Sequence, residues 1–581
     1  MRVLFLHPED VPGRGEWAGL RWDLVVDLGF ASACTYAEWR RRLQAKVVSI
    51  YQFSGEMDSY RWVNRVLDLA RGRLLDRLGL DWWEIVASAF YKDLQMLYLV
   101  DRVREILPEP VDAVATRPHL FTRIFAETTG RSVRHLQNCS LRPWQKVAGM
   151  LRAARKLSRS QIAEIAFDKW DPCFDIRRHF SQPARLTDPV MLVPSAYSNV
   201  TRSALAYAEQ LPQRRFLLAV TRTSALPERL PRNVALTSLA AYAKPAESTQ
   251  EEVKELIESW QVLLRSVLAP SSELQHAARM GLWSYFPEHL ENGVRLREAW
   301  RSLMQSEPVK GVLCGDDLNY YTRLPLLLCH ALDGFNGIYC SHGALDDGFL
   351  FKMPSADVYL VKGEMESDYL RRARDIAPEK IILAAPAKNK PAPQPDARRS
   401  AIVFFSQPFE VENGRADEIF HELITPLVSC ARQSGKRLVI KLHPFESVRG
   451  RRELLRSILP PEQVEEIEIV GGVPPQEVIS QAWCGITVNS SVAVECALRN
   501  IPFFLCGWLD FGGMGYMQQF ARYGVARVLD RLEDIEHIPA MVHEYRPDAL
   551  VQKRLWQAAD AAQLDEIMFG PPAPNPSPCA C

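Results

Sequence analysis

The feature that most constrains this chain is an alternation. Short apolar runs rich in β-branched and aromatic residues recur along almost its whole length. Stretches with apolar residues at helical spacing lie between them. The runs are residues 3–8, 111–116, 190–195, 215–220, 312–317, 337–341, 358–361 and 380–383, then 401–405, 437–441, 464–470, 485–488 and 502–505. Trp62, Val66, Leu67, Leu69 and Ala70 open a helical pattern over 60–107. Further helices are expected over 145–170, 249–269, 271–306 and 326–331, the last with Pro325 suited to its first position. Strands that alternate with helices fold as parallel sheets, and open parallel sheets bind ligands outside the carboxyl ends of their strands.

At 581 residues the chain exceeds one core. The stretch 386–399 carries Pro386, Pro391, Pro393 and Pro395 and reads as a linker. The expected architecture is α/β: two Rossmann-like parallel-sheet domains facing a cleft, over 1–385 (with helical insertions) and 400–548. A terminal segment over 549–581 adds a helix and then a tail with five prolines, Pro571, Pro572, Pro574, Pro576 and Pro578, expected to be disordered. No internal repeat is visible. The loop over 9–19, with Gly13, Gly15 and Gly19, lies where a ligand loop would sit but does not match the dinucleotide fingerprint.

Lysine plus arginine equals aspartate plus glutamate at 70 each, which argues against nucleic acid as a partner. The twelve cysteines lack Cys-x-x-Cys spacing, and Cys314, Cys329, Cys340, Cys484 and Cys506 sit in apolar runs as small core residues. A reducing, cytoplasmic compartment fits. The N-terminus lacks the long apolar region of a signal peptide, and no apolar run approaches the ~18 residues of a membrane span. A peripheral contact with the inner face of a membrane is compatible with this.

Three polar groups follow strands. The first is Ser341-His342-Gly343-Ala344-Leu345-Asp346-Asp347-Gly348, the second Lys441-Leu442-His443-Pro444, and the third Asn489-Ser490-Ser491 with Glu495 one turn on. Each has a plain structural explanation. The histidines can be buried and hydrogen-bonded, Asp-Gly is a favoured turn pair, and Lys441 can be a solvated strand end. Glu495 can pair with Arg499 at i+4, and residues 485–502 can be an ordinary strand–helix–strand connection in which the Ser490 hydroxyl takes a first-turn N–H. That all three groups stand at the same end of their strands favours a ligand reading, because a helix start at that end also suits an anion such as a nucleotide phosphate. Asp316-Asp317 and Asp346-Asp347 offer carboxylate pairs, but no third ligand at a defined spacing marks a metal site.

The ordered set resembles the GT-B glycosyltransferases of bacterial surface polysaccharides over residues 335–510. Asp346-Asp347-Gly348, His443-Pro444 and Ser490-Ser491 are similar to the acidic pair, His-Pro and Ser pair of bacterial sialyltransferases, polysialyltransferases and capsular Kdo transferases. His342-Gly343 with His443-Pro444 resembles the teichoic-acid type CDP-glycerol glycerophosphotransferases. Residues 356–364 resemble a strand common to both. The resemblance implies a nucleotide-sugar donor, CMP-sugar favoured, held by the 400–548 domain, and a saccharide or glycolipid acceptor on the 1–385 side. It implies inverting transfer in capsule or lipopolysaccharide synthesis, with no metal and no cofactor. Asp346, Asp347 or His342 would be the base. Lys441, His443, Pro444, Asn489, Ser490 and Ser491 would hold the donor, and Glu495 the ribose. Lys352 lies one step from where the Kdo transferases place a basic residue, and the donor stays open between CMP-sugar, CDP-polyol and UDP-sugar. A CDP-polyol phosphotransferase, a UDP-GlcNAc 2-epimerase-like enzyme and a non-catalytic GT-B scaffold are the alternatives.

Overall fold

In a computed structural model of the chain, the described residues are 1–570 with several segments excepted. The exceptions are 11–18, 54–57, 108–109, most of 137–181, short stretches within 269–282, residues 318 and 333, 342–354, 388–398, 410–414, 473–474, 489 and 510–515. The helix expected over 145–170, the core of the linker and the Pro-rich tail lie outside the described residues.

The chain is parallel-sheet α/β throughout. The first sheet contains β1 (Arg2–Leu6), β2 (Leu24–Asp27), β3 (Lys46–Ser49), β4 (Asp112–Ala115) and β5 (Arg134–His135), in the order β3-β2-β1-β4-β5. The second contains β6 (Val190–Ser195), β7 (Arg215–Val220), β8 (Val234–Ser238), β9 (Val309–Cys314), β10 (Asn336–Cys340), β11 (Val358–Val361) and β12 (Ile381–Leu383), in the order β12-β11-β10-β9-β6-β7-β8. After the short β13 (Ala385–Pro386), the third contains β14 (Ala401–Phe405), β15 (Arg437–Lys441), β16 (Glu468–Val470), β17 (Ala482–Thr487), β18 (Phe503–Cys506) and β19 (Arg527–Leu529), in the order β16-β15-β14-β17-β18-β19. Each sheet starts in its middle, builds outward to one edge, then returns and builds to the other. Each therefore has one switch point, between its first and fourth strands.

The two doubly wound sheets expected on either side of a cleft are the second and third. A further sheet precedes them, so residues 1–385 hold two sheets where the sequence suggests one with helical insertions. The shared strand order is a structural repetition without a visible sequence repeat. Two smaller corrections follow from turn chemistry. Residues 464–467 are not strand, because Pro461 starts a helical turn, Pro461–Glu465, that turns Val464 inward. The helix expected over 271–306 is regular only from Phe286, with Pro287 in its first turn.

Alternation along β1 sets the packing. Val3 and Phe5 face a large core shared with the second sheet, whereas Leu4 and Leu6 face a smaller one with Trp22, Tyr36 and Trp39. Helices Asp58–Ala70, Trp82–Ile106, Phe286–Ser306 and Tyr320–Ala331 contribute to the shared core, so the first two sheets stand on common packing. The third sheet has its own core. Within it Gly485 is required by a close approach. A Cβ there would lie 2.4 Å from the Phe503 ring, which stacks with Phe405 at 5.8 Å. The five cysteines read as core residues are buried free thiols.

The chain then crosses back. β20 (Ala558–Ala559) pairs with β13, and the helix Ala561–Phe569 docks on the second sheet. Arg214 grips Asp565 through two nitrogens at 2.5 and 2.7 Å, and Phe216 meets Phe569 edge-on. The C-terminal helix thus belongs to the core shared by the first two sheets, on the second sheet's side. No helix among the described residues is long and apolar enough to cross a membrane.

Candidate functional site

The switch point of the third sheet is built by register. Phe405 stands level with Lys441 on one side and Thr487 on the other. The chain segments after β15 and β17 therefore leave the sheet side by side, with Ser406 between them. Hydrogen bonds hold the three exits together. The Ser406 N–H donates to the Lys441 carbonyl at 2.9 Å, and the Thr487 hydroxyl donates to the Phe405 carbonyl at 2.7 Å.

His443 is the best defined group there. Its Nδ1 accepts the N–H of Phe445 at 3.2 Å, so in the neutral ring the proton sits on Nε2, which then serves as a donor. Burial, reinforced by the nearby Lys441 charge, pushes its pKa down to about 4. The imidazole is therefore neutral at neutral pH. Lys441 itself is not a solvated strand end. It is buried, and its Nζ donates to the Leu442 carbonyl at 2.6 Å. Burial lowers its pKa as well. Pro444 is exposed beside them.

The residue that orders this loop was not picked out from the sequence. Glu446 is buried, and one of its oxygens accepts the His443 N–H at 2.8 Å. The other accepts from the Ser406 hydroxyl at 2.7 Å and from Arg451 Nε at 2.8 Å. A carboxylate three residues after a strand-end His, with an Arg five residues further on, was the available signal. It has the i, i+3 spacing of a capping box.

On the other side, the helix after β17 is Val492–Leu498, seven residues long. The Ser490 hydroxyl accepts the Val492 N–H at 3.4 Å, as expected of a cap residue. Ser491 occupies the N-cap position and makes no capping bond with its side chain. Two turns give only a small dipole, so the hydroxyls rather than the helix carry this side of the site. Glu495 does pair with Arg499, at 3.3 Å, and its two oxygens also receive Gln476 Nε2 at 3.3 and 3.2 Å. Gln476 in turn accepts from Arg202 Nη1 at 3.4 Å.

That last contact crosses between domains. Arg202 lies in the first turns of the helix Ser198–Gln210, which starts where β6 ends, at the switch point of the second sheet. The carboxyl edges of the second and third sheets therefore face one another. On the second sheet's side, the Tyr197 and Tyr321 hydroxyls meet at 2.8 Å, and the buried Arg222 lies over both rings. Asp316 accepts from Asn319 at 2.6 Å, and Asp317 accepts from Arg374 at 2.9 Å and Ser355 at 3.1 Å. The Asp316-Asp317 pair is engaged by protein groups, and among the described residues no cluster of three His, Cys, Asp or Glu is poised for a metal.

β10 ends at Cys340 on this same edge. Lys362, just after β11, donates to the Ser341 carbonyl at 2.8 Å and pairs with Glu366, which fixes the direction in which the chain leaves β10. His342, Asp346 and Asp347, which follow directly, lie outside the described residues, as does Asn489. The structure thus brings Lys441, His443, Pro444, Ser490, Ser491 and Glu495 to one switch point and leaves the three base candidates untested.

No family model matches the sequence, and no curated protein matches it. Solved structures are similar in part. A UDP-GlcNAc 2-epimerase from Methanocaldococcus jannaschii, in complex with UDP-GlcNAc and UDP, aligns at a TM-score of 0.40 and 10% identity. The alignment covers 66% of this chain and 99% of that one. The wall teichoic acid polymerase TagF aligns at 0.38 and 10%, over 73% and 96% of the two chains. The glycotransferase of kitacinnamycin aligns at 0.36 and 13%, over 66% and 96%. Likeness at these scores and identities carries no functional weight.

Proposed function

We propose that the cleft between the second and third sheets binds a nucleotide-sugar donor and transfers its sugar to a saccharide or glycolipid acceptor, as a GT-B type glycosyltransferase of surface polysaccharide synthesis. The observation that carries this reading is the neutral, fixed imidazole of His443 at the third sheet's switch point, on the same sheet edge as Ser490 and Ser491, which follow β17 on the other side of β14. A leaving nucleotide phosphate gains negative charge as the sugar departs. Donors already aimed at it lower that barrier without reorganising. His443 Nε2–H and the serine hydroxyls are such donors, and Glu446 holds the His443 backbone in place. Glu495, oriented by Gln476 and Arg499, takes the ribose hydroxyls. The base that removes the acceptor's proton comes from His342, Asp346 or Asp347, which follow β10 in the sequence. The transfer inverts the anomeric centre and uses no metal, and a CMP-sugar is the favoured donor.

The test is calorimetric titration with CMP, CDP and UDP, on the parent and on His443→Asn. Asparagine can still accept the Phe445 N–H, so the turn is kept while the outward N–H is removed. At least one nucleotide should bind, and the variant should weaken it tenfold or more without a change in thermal unfolding. No binding by any nucleotide, or binding unchanged in the variant, overturns the assignment. Isomerisation of UDP-GlcNAc without an acceptor would replace transfer by epimerisation.

A further inference from the structure

The first sheet has a switch point of its own, at the carboxyl ends of β1 and β4, and nothing above uses it. Six side chains gather there. His7 follows β1, and its N–H donates to the Thr116 hydroxyl at 3.0 Å. His119 caps the helix Leu120–Thr129, and its ring lies 5.5 Å from that of His7. Arg117 links the two ends through Glu9 at 2.8 Å and Asp10 at 2.7 Å.

The two imidazoles are set alike. His7 Nδ1 accepts the Glu9 N–H at 3.2 Å, and His119 Nδ1 accepts the Phe121 N–H at 3.1 Å. In the neutral rings each Nε2 carries the proton, and among the described residues no group accepts it. Burial lowers both pKa values, that of His119 to about 4, so both rings are neutral at neutral pH. The crevice therefore holds two neighbouring neutral donors.

It also holds two buried atoms without a partner. Asp10 is 6% exposed, and its Oδ2 makes no hydrogen bond, although Oδ1 is paired with Arg117. Arg117 Nε, on the other side of the same ion pair, is likewise unpartnered. Buried polar atoms are usually satisfied, so an acceptor and a donor left open in one ion pair call for a group that is both. A hydroxyl is such a group.

Charge narrows the ligand class. Glu9, Asp10 and Asp27 stand against Arg117 and Arg415 around this crevice, so carboxylates outnumber guanidiniums and a phosphate or carboxylate ligand gains no net attraction. We propose that the β1/β4 crevice is a binding site for a neutral polyhydroxylated ligand, a saccharide, whose hydroxyls accept from the Nε2–H groups of His7 and His119 and donate to Asp10 Oδ2. If the glycosyl transfer reading holds, this is the seat of a more distant part of the acceptor chain. The site itself does not depend on that reading.

The experiment is ligand-detected saturation-transfer NMR on the full chain with three neutral disaccharides, maltose, lactose and N,N′-diacetylchitobiose. The parent is compared with a His7→Asn/His119→Asn double variant and with Asp10→Asn. Asparagine keeps both Nδ1-type acceptors, and so the turn and the helix cap, and removes only the outward N–H groups. At least one disaccharide should receive saturation from the parent, and the signal should fall fivefold or more in both variants. Titration with CMP, CDP and UDP should be unchanged by them. No transfer to any of the three sugars overturns the site, leaving only water at Asp10 and Arg117. Sugar binding retained in both variants, or lost in His443→Asn instead, also overturns it. Failure of nucleotide binding with the sugar signal intact would count against the transferase reading alone.

Discussion

Two His-Pro pairs, each within two residues of a strand's end, invite comparison: His7-Pro8 after β1 and His443-Pro444 after β15. Locally they are built alike. Each imidazole takes the N–H two residues on, at 3.2 Å, and each has its pKa lowered by burial. They differ in what holds the loop. The His443 loop is closed by Glu446, which draws on Ser406 and Arg451 of the same domain. The His7 loop is closed from outside. Arg415, which precedes the first helix of the third domain, donates to the carbonyls of His7, Pro8 and Asp10 at 3.0, 3.0 and 2.6 Å and pairs with the fully buried Asp27 at 2.6 Å. Nearby, Glu422 of the third domain accepts from Ser32 and Thr35 of the first, and from Trp508 at 2.7 Å. One loop is therefore complete within its domain, and the other is complete only when two domains are docked.

Removing Arg415 should erase this difference most strongly. Arg415→Met removes the charge but leaves Asp27 buried and three carbonyls without their donor. Breaking a buried pair on one side costs about 3–5 kcal/mol. Denaturant unfolding should show that loss, and saturation transfer to neutral disaccharides should weaken with it. Nucleotide binding at the self-contained His443 loop should stay within about threefold, since it lacks any contact with Arg415. A loss under about 1 kcal/mol would mean that Arg415 does not hold the junction.

Acid should act alike on His443 and on His119, whose ring neighbours that of His7. His119 and His443 have folded pKa values near 4, below the ordinary 6.5. Between those values the unfolded chain binds the proton and the folded chain does not. The contribution of each is full above about pH 6.5 and is lost as pH falls toward 4. The ceiling is about 3 kcal/mol for each ring. Measured from pH 7 to 4.5, the slope of stability against pH should be shallower in His443→Asn and shallower again when His119→Asn is added. Equal slopes in parent and variants would show that these rings titrate normally.

How much of this was legible in the sequence follows the same division between local and distant determinants. β6, β7, β11, β14 and β15 were read to the residue, because buried parallel strands are continuous apolar runs. β2, β3, β5, β8 and β19 were missed. β2 is four residues after a polar loop, β3 begins with an exposed lysine, and β5 is the pair Arg134–His135, which no pattern marks. β1 and β4 were read, but as strands of one large domain, so the first sheet as a unit of its own, with a switch point between them, stayed hidden. The places of the proposed donor-side residues were legible because each follows a strand that was read. Glu446, Gln476 and Arg415 were not, because their roles depend on partners across a loop or across domains. Gln476 reaches Glu495 nineteen positions on, and Arg415 reaches Asp27 388 positions back.

The weakest effect is expected at the contact that Gln476 makes with Arg202 across the cleft. Gln476 gives Glu495 two amide hydrogen bonds at the long end of the range and receives Arg202 at 3.4 Å. Arg499 still orients the carboxylate when the amide is gone. Gln476→Ala should therefore cost only about 0.5–1 kcal/mol of donor affinity, in line with neutral hydrogen bonds that remain open to water. The loss should appear as a two- to fivefold rise in the nucleotide dissociation constant, or in KM, with kcat unchanged. Gln476→Glu should cost more, because it sets a carboxylate against Glu495, and Arg202→Ala less, because that contact is exposed. If Gln476→Ala lowered kcat as well, Gln476 would act through domain closure rather than through Glu495. The nucleotide side would then depend on docking just as the His7 loop does, and the contrast between the two loops would be one of degree.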